Sequence, residues 1–236
     1  MQNLLKAADF EHEIVSASLI YLTGNSEVRV VILENQAYRF MVMQGTIQSV
    51  MSLAEPERIL FAHQQAMLQN LEQMRPGARV LELGLGGGSA VRHARLQNFD
   101  LDWTSVEHNS EIVNLFWDYF SPQSAHQPER LNHMIELAES RAYLSGLASG
   151  RQFELILCDV YDELGYELLR LCIKHLSEDG ELVVNWLPHL QPQGAQSGDF
   201  FATLASQMNL IHSVTAIPGF ANQIHRLRQR SPQPRA

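Results

Sequence analysis

The sequence has few cysteines and no histidine pattern suited to a metal, which removes several classes of function. Its two cysteines, Cys158 and Cys172, lie in apolar segments without the spacing of metal ligands. The ten histidines include no i, i+4 pair and have no cysteine partner, so we expect no metal site. Buried free thiols in a reducing compartment are the simplest account of the cysteines.

Basic residues are also scarce. Lys and Arg number 17 against 26 Asp and Glu, so the formal net charge is −9 and a nucleic-acid partner is not expected. The terminal cluster HRLRQRSPQPRA has the composition of a solvated tail. No apolar run approaches the length of a membrane span, and MQNLLKAADFEHE does not resemble a signal peptide. We therefore expect a cytoplasmic protein with no membrane partner.

Two sequence patterns divide the chain. Residues 1–54 contain IVSASLIYL, EVRVVIL, AYRFMVM and TIQSVMSL between turn-forming segments, and this predicts an antiparallel β-hairpin domain. Residues 55–236 begin with a helix predicted over Pro56–Met74 and then alternate between strands and helices. Such alternation predicts a Rossmann-like, mostly parallel sheet with helices on both faces. A terminal hairpin is expected from LIHSVTAI and FANQIHRL.

The segment VLELGLGGGSA ends the first predicted strand of this second region. Gly84, Gly86 and Gly88 would let a ligand approach main-chain N–H groups at the start of a helix. Glu107 ends the next strand about twenty residues later, where a carboxylate can accept both ribose hydroxyls of an adenosine. Glu139, after the third strand, could accept the adenine amine or favour a helix N-terminus. NAD and S-adenosylmethionine both satisfy this pattern, whereas a P-loop lacks its Gly-Lys-Ser/Thr.

Acidic residues also follow the fourth strand, FELILCD. Asp159, Tyr161 and Asp162 lie where that strand meets the predicted ligand crevice. Two carboxylates and a phenol can bind a cationic amine and accept its proton. They could equally cap the next helix.

Together, the glycine loop, Glu107, ESRAYL and CDVYD resemble the spermidine/spermine synthase (polyamine aminopropyltransferase) family, specifically its bacterial spermidine-synthase-like branch. The resemblance covers about residues 45–187. It implies a class I methyltransferase-like fold with a seven-stranded sheet behind an N-terminal β-domain, and a homodimer. The implied reaction transfers aminopropyl from decarboxylated S-adenosylmethionine to a small amine and leaves methylthioadenosine. Asp159 and Asp162 take the positions of catalytic base and amine ligand.

The chain also departs from the family's pattern. Gly87 replaces the loop aspartate, and DVYDE replaces a DSSDP-like motif. Glu139 stands where an aspartate usually contacts adenine. Gln48 and His63 are kept as cofactor-binding and substrate-binding positions, but the family's tyrosine before the histidine is absent. Glu82 occupies the acidic position of the (D/E)xGxGxG loop of S-adenosylmethionine methyltransferases, where synthases commonly have an apolar residue.

Three interpretations remain open at this point. The first is a spermidine-synthase-like alkyl transferase that uses S-adenosylmethionine or its decarboxylated form, with Asp159, Asp162 and Tyr161 as catalytic residues. The second is a methyltransferase acting on a small molecule, favoured by Glu82. The third is a non-catalytic nucleoside-binding paralogue, favoured by the accumulated departures.

Overall fold

The chain is built on two β-sheets. The structure, a computed structural model, describes residues 7–24, 29–121, 130–161, 164–190 and 199–230. Its strands are β1 Ser18–Gly24, β2 Arg29–Glu34, β3 Tyr38–Met43, β4 Thr46–Ser52, β5 Ala78–Leu83, β6 Leu101–Glu107, β7 Asn132–Leu137, β8 Phe153–Cys158, β9 Leu176–Trp186, β10 Leu210–Ala216 and β11 Gln223–Gln229. The first sheet has the order β1-β2-β3-β4 and is antiparallel. The second has the order β10-β11-β9-β8-β5-β6-β7.

Helices flank the second sheet. The helices are α1 Ala7–Val15, α2 Ala62–Met67, α3 Ser89–Leu96, α4 Ser110–Leu115, α5 Ser140–Gly146, α6 Tyr166–Lys174 and α7 Asp199–Gln207, with 3₁₀ turns at Leu71–Gln73 and Pro188–Leu190 and a π-helical segment at Phe116–Phe120. β5 to β9 pair in parallel, and β11 runs antiparallel to both β9 and β10. The predicted fold class is confirmed, as is the terminal hairpin. Cys158 and Cys172 are buried and free, as expected.

The first predicted strand is wrong over its N-terminal part. IVSASLIYL begins at Ile14, but α1 extends to Val15 and β1 begins only at Ser18. Phe10 of α1 is buried in the small core of the first sheet, and the carbonyl of Glu13 accepts a hydrogen bond from Asn35 Nδ2 at 3.0 Å. These tertiary contacts stabilise helix in a segment where β-branched residues favoured strand.

The helix predicted over Pro56–Met74 is also wrong in extent, since only Ala62–Met67 is α-helical. Three consecutive residues, Ile59, Leu60 and Phe61, are buried, a pattern that one face of a helix cannot supply. The main chain just before these three residues is held by α3, because Arg92 Nε donates to the Pro56 carbonyl at 2.7 Å. The apolar residues that fit helical spacing therefore belong to an irregular segment, and they pack into the cores of both sheets.

The parallel sheet has its topological switch point at β5. β6 pairs with one edge of β5 and β8 with the other. In open α/β sheets, ligands bind beyond the carboxyl ends of the strands at this point. The glycine loop after β5 and the segment after β8 therefore lie on either side of the expected crevice.

Candidate active site

The glycine loop joins β5 to α3 at the carboxyl edge of the sheet. Gly84, Gly86 and Gly88 have φ values of 90°, 51° and 61°, a region that residues with a Cβ rarely adopt. At Gly84 an added Cβ would stand 2.6 Å from the main-chain oxygen of Asp159. The loop therefore passes directly over the end of β8, and only glycine permits that approach.

Gly87 is held by the first sheet. Its N–H donates to Ser49 Oγ at 2.8 Å, and an added Cβ would stand 2.7 Å from the Cβ of Ser49. Where the family resemblance implies an aspartate, this chain therefore has a close contact between the loop and β4. Because the Gly87 N–H already donates to Ser49, this main-chain donor of the loop is not available to a ligand.

Gln48 and Ser49 lie at an irregularity in the pairing of β3 and β4. Met41 pairs with Ser49 and Val42 with Ile47, so Gln48 has no partner across the strand pair. Gln48 is exposed, whereas Ser49 is buried and contacts the loop. Sequence reasoning selected Gln48 and missed its neighbour, and only the register of the strands distinguishes them. A cofactor contact of Gln48 stays a prediction.

Glu107 is buried at the end of β6 and contacts the main chain with both carboxylate oxygens. Oε2 accepts from the N–H of Leu85 at 3.2 Å, and Oε1 accepts from the N–H of Asn109 at 2.9 Å. Each oxygen keeps a lone pair for a ribose hydroxyl. The exposed Glu139 lies nearby, because the N–H of the preceding Ala138 donates to the Glu107 carbonyl at 3.0 Å. Both predicted adenosine contacts are therefore at the same edge of the sheet.

Arg92 on α3 is fully buried and was not predicted as part of the site. Its guanidinium donates to the carbonyls of Pro56 at 2.7 Å and Gly87 at 2.5 Å, and more weakly to that of Phe120 at 3.4 Å. Burial lowers the pKa of Arg92 to about 9. This one side chain connects the segment after the first sheet, the glycine loop and the π-helical segment.

Glu82 is buried on β5, two residues before the loop. Oε2 accepts from Trp103 Nε1 at 2.9 Å and from Ser105 Oγ at 2.6 Å. Burial raises the pKa of Glu82 to about 7, and the nearby charge of Asp159 adds to this, whereas the two hydrogen bonds lower it. Glu82 is therefore close to changing its protonation state at neutral pH.

Asp159 belongs to a hydrogen-bonded cluster beyond the end of β8. Its Oδ1 accepts from Tyr161 Oη at 2.9 Å and from Asn185 Nδ2 at 2.8 Å, and Asn185 Nδ2 also donates to Tyr161 Oη at 2.8 Å. Asn222 Nδ2 in turn donates to Asn185 Oδ1 at 2.8 Å. Burial, followed by the charge of Asp159, raises the pKa of Tyr161, so the phenol stays protonated. Asp162, the other predicted acid, lies outside the described residues.

Asn185 and Asn222 are functional candidates that sequence reasoning missed. Asn185 is fully buried on β9 and Asn222 is nearly so. Asn185 is a single amide side chain near the carboxyl end of the apolar strand ELVVNWL, and its position there could have indicated a site residue from the sequence. Asn222 precedes β11 and had no such signal, because its partner is 37 residues away in the chain.

His63 lies across from this cluster on α2. Its ring stacks on Phe61 with centroids 5.0 Å apart and meets Phe220 edge-on at 6.2 Å. Burial lowers the pKa of His63, while the negative charge of Asp159 opposes the shift. Nδ1 is buried without a hydrogen-bond partner within the part of the chain that the structure describes. A substrate contact of His63 stays a prediction.

A small cavity unites much of this arrangement. It is lined by Gln64, Met67, Leu68, Glu82, Gly84, Leu85, Ser89, Ala90, Leu157 and Asp159. Two acidic residues, Glu82 and Asp159, thus line one mostly apolar space beside the glycine loop, a setting that favours a cation. A larger open groove of about 640 Å³ lies between α6 and β10, and none of the predicted site residues lines it.

The described residues include neither a metal-binding cluster nor a membrane-spanning helix. Over residues 7–24, 29–121, 130–161, 164–190 and 199–230, no group of three or more His, Cys, Asp or Glu side chains is arranged to hold a metal ion. Across the same ranges, no helix has the length and apolar character needed to cross a membrane.

Comparisons with known proteins establish the fold. No protein-family model matches the sequence, and no curated protein matches it. A probable spermidine synthase from Corynebacterium glutamicum is 16% identical, with a TM-score of 0.68 over 88% of this chain and 79% of that one. Spermidine synthase from Thermotoga maritima is 15% identical, with a TM-score of 0.61 over 89% and 72%.

A methyltransferase has the same architecture over a shorter stretch. Human methyltransferase-like protein 13, solved in complex with SAH, is 20% identical, with a TM-score of 0.58 over 75% of this chain and 86% of that one. These identities are too low to assign an activity. The chain has the class I methyltransferase-like fold that spermidine synthases and methyltransferases share.

Proposed function

We propose that this chain is a transferase that binds an adenosyl-sulfonium cofactor and moves an alkyl group, of aminopropyl type, to a small amine. The observation that carries the proposal is the pairing of Glu82 and Asp159 around one cavity beside the glycine loop. A bound cation would satisfy both carboxylates, and both S-adenosylmethionine and its decarboxylated form carry a sulfonium and an ammonium. The sulfonium supplies a carbon already activated for displacement.

Asp159 is the proposed general base. Tyr161 and Asn185 occupy Oδ1, so an acceptor amine would meet Oδ2. There Asp159 would orient the amine and take its proton as the nitrogen attacks. The Tyr161 phenol stays protonated and would line one side of the amine site. Asp162 remains a proposed second amine ligand. His63, whose pKa is lowered by burial, remains a proposed substrate-binding residue.

The cofactor would lie across the loop. Glu107 would bind the ribose hydroxyls with its remaining lone pairs, and Glu139 would meet the adenine amine. Gly84, Gly86 and Gly88 would admit the cofactor close to the main chain. Glu82 would hold the ammonium of its tail, a task that the resemblance assigns to the missing loop aspartate.

A small-molecule methyltransferase is the second candidate. Glu82 favours it, because an acid at this position belongs to the (D/E)xGxGxG pattern. The two candidates differ in the tail that the site must tolerate. Decarboxylated S-adenosylmethionine ends in a bare ammonium, whereas the intact cofactor adds a carboxylate that Glu82 and Asp159 would repel.

Calorimetric titration with S-adenosylmethionine, its decarboxylated form and methylthioadenosine tests the proposal. We expect all three to bind, with the decarboxylated form bound most tightly. Tighter binding of the intact cofactor would favour the methyltransferase. Binding of none of them would refute both candidates.

The proposal extends to organisation. We propose a hairpin domain over residues 1–54, a cofactor-binding domain over 55–236, and a homodimer. Light scattering tests the dimer against the 26.7 kDa mass of one chain. A monomer at micromolar concentration would overturn that part without affecting the proposed chemistry.

A further inference from the structure

A series of hydrogen-bonded polar side chains, two buried and one half-buried, leads away from Glu82 across three neighbouring strands. Glu82 on β5 pairs in register with Ser105 on β6, and Trp103 of β6 pairs with His133 on β7. Ser105 Oγ lies 2.6 Å from Glu82 Oε2 and 3.0 Å from His133 Nε2. The side chains of Glu82, Ser105 and His133 therefore form one continuous line beneath the loop. Only its first member lines the cavity.

The direction of each hydrogen bond follows from the donors available. An ionised Glu82 can only accept, so the single hydroxyl hydrogen of Ser105 points to it. Ser105 can then contact His133 only by accepting, which places the imidazole hydrogen on Nε2. His133 Nδ1 is left bare, and it is buried without a partner within the described part of the chain. The surrounding rings of Phe116 and Trp117 offer it no hydrogen bond.

We propose that Ser105 and His133 are positioning residues that hold the Glu82 carboxylate toward the cofactor's ammonium and set the pH dependence of cofactor binding. The inference takes its ligand from the proposed function. The series of hydrogen bonds from Glu82 to His133 can nevertheless be tested without any ligand. Hydrogen bonds in a low-dielectric interior polarise one another, so the His133 donor strengthens the Ser105 donor. Both favour the ionised form of Glu82 against the effect of burial.

Other charged groups lie near Glu82 and near His133, the two ends of this series of hydrogen bonds. Asp159 and Glu107 lie near Glu82 and raise its pKa, and Glu82 in turn raises the pKa of Arg92. Arg95 lies near His133 and adds to the effect of burial, which lowers the pKa of His133 to about 4. His133 therefore stays neutral at any pH at which Glu82 titrates.

The sign of the effect is set by the ammonium. Ionised Glu82 attracts it and protonated Glu82 does not, so affinity falls as the pH drops through the pKa of Glu82, about 7. Removing a donor to the carboxylate raises that pKa and moves the loss of affinity to higher pH. Methylthioadenosine has no ammonium, so its affinity should not follow this transition.

The test is a pH series of calorimetric titrations with decarboxylated S-adenosylmethionine and methylthioadenosine on the parent, Ser105→Ala and His133→Phe. Loss of the Ser105 donor should raise the midpoint by about one pH unit and weaken binding about fivefold near pH 7, with recovery at alkaline pH. His133→Phe should also raise the pH midpoint of binding, but by a smaller amount. Thr104→Val removes a neighbouring hydroxyl that contacts Tyr143 and should leave the midpoint unchanged.

A second measurement needs no cofactor. Nitrogen-15 NMR of the parent should show His133 protonated on Nε2, bare on Nδ1 and untitrated until about pH 4. The opposite tautomer, or a midpoint unmoved by Ser105→Ala while decarboxylated S-adenosylmethionine still binds, would overturn the inference. Failure of both nucleosides to bind at any pH would instead count against the proposed function, and the NMR result would still decide whether the series of hydrogen bonds exists.

Discussion

The two halves of the site are built differently. On the side proposed for adenosine, Glu107 accepts hydrogen bonds from the main-chain N–H groups of Leu85 and Asn109, and the glycine loop supplies backbone alone. On the side proposed for the amine, Asp159 is held by the side chains of Tyr161 and Asn185, and Glu82 lines the same cavity. The Glu107 carboxylate is thus held by main-chain groups, whereas the Asp159 carboxylate is held by neighbouring side chains.

This difference shows which half can change its ligand easily. Main-chain donors do not depend on residue type, so we expect the position of the Glu107 carboxylate to survive most substitutions around it. Side-chain contacts change with single residues, and here Gly87 and Glu82 already depart from the synthase pattern. The identity of the tail and of the acceptor should therefore be decided on the amine side, and the following experiments test that division.

Asp159→Asn should have the largest effect on activity. An amide keeps Oδ1 as an acceptor for Tyr161 and Asn185 but cannot take a proton, so kcat should fall on the order of 10²–10⁴-fold. Thermal melting should change little, because the cluster remains bonded. Asp179→Asn, an exposed change on β9, is the matched control. An early-melting Asn variant would mean that Asp159 is structural.

Glu82→Gln should stabilise the fold at alkaline pH. The folded pKa of Glu82, about 7, lies above its ordinary value of 4.5, so its contribution to stability is complete below about pH 4.5 and is lost as pH rises through 7. The neutral amide avoids that loss, which amounts to about 3 kcal/mol. Urea unfolding between pH 4.5 and 8 measures it, with exposed Glu178→Gln as control. Equal pH dependence in parent and variant would show that Glu82 is not buried as an acid.

Glu107→Gln should weaken methylthioadenosine binding by about 1.5–3 kcal/mol. One oxygen becomes an NH₂ group that faces either Leu85 N–H or Asn109 N–H, so the loop is disturbed together with the ribose contact. Calorimetry measures the affinity, and Glu136→Gln on neighbouring β7 is the control. Undiminished binding would remove the adenosine side of the comparison.

Gly87→Ala should destabilise the protein by about 1–3 kcal/mol through overpacking against Ser49. Gly150→Ala is the control, because no atom lies within 4 Å of the Cβ it would gain. Chemical denaturation compares the two. If both substitutions cost the same, the contact between the loop and β4 does not constrain this position.

Much of the fold could be predicted from the sequence, because alternation of strands and helices has few topological solutions. The glycine loop, Glu107 and Asp159 were found because each ends a strand of the same sheet. Asn222 and Arg92 were not, since their partners are distant in the sequence and nothing local marks them. The helix after Pro56 was overextended because Ile59 and Leu60 fit helical spacing, whereas the adjoining Phe61 is buried as well.

Identification of the nucleoside product tests the central claim most directly. The protein would be incubated with decarboxylated S-adenosylmethionine, and in parallel with the intact cofactor, and a panel of small amines, with products identified by mass spectrometry. The account predicts methylthioadenosine together with an amine enlarged by an aminopropyl group, and loss of both in Asp159→Asn. S-adenosylhomocysteine with a methylated acceptor would contradict the aminopropyl assignment, and no product from either cofactor would contradict the proposal that this chain is a transferase.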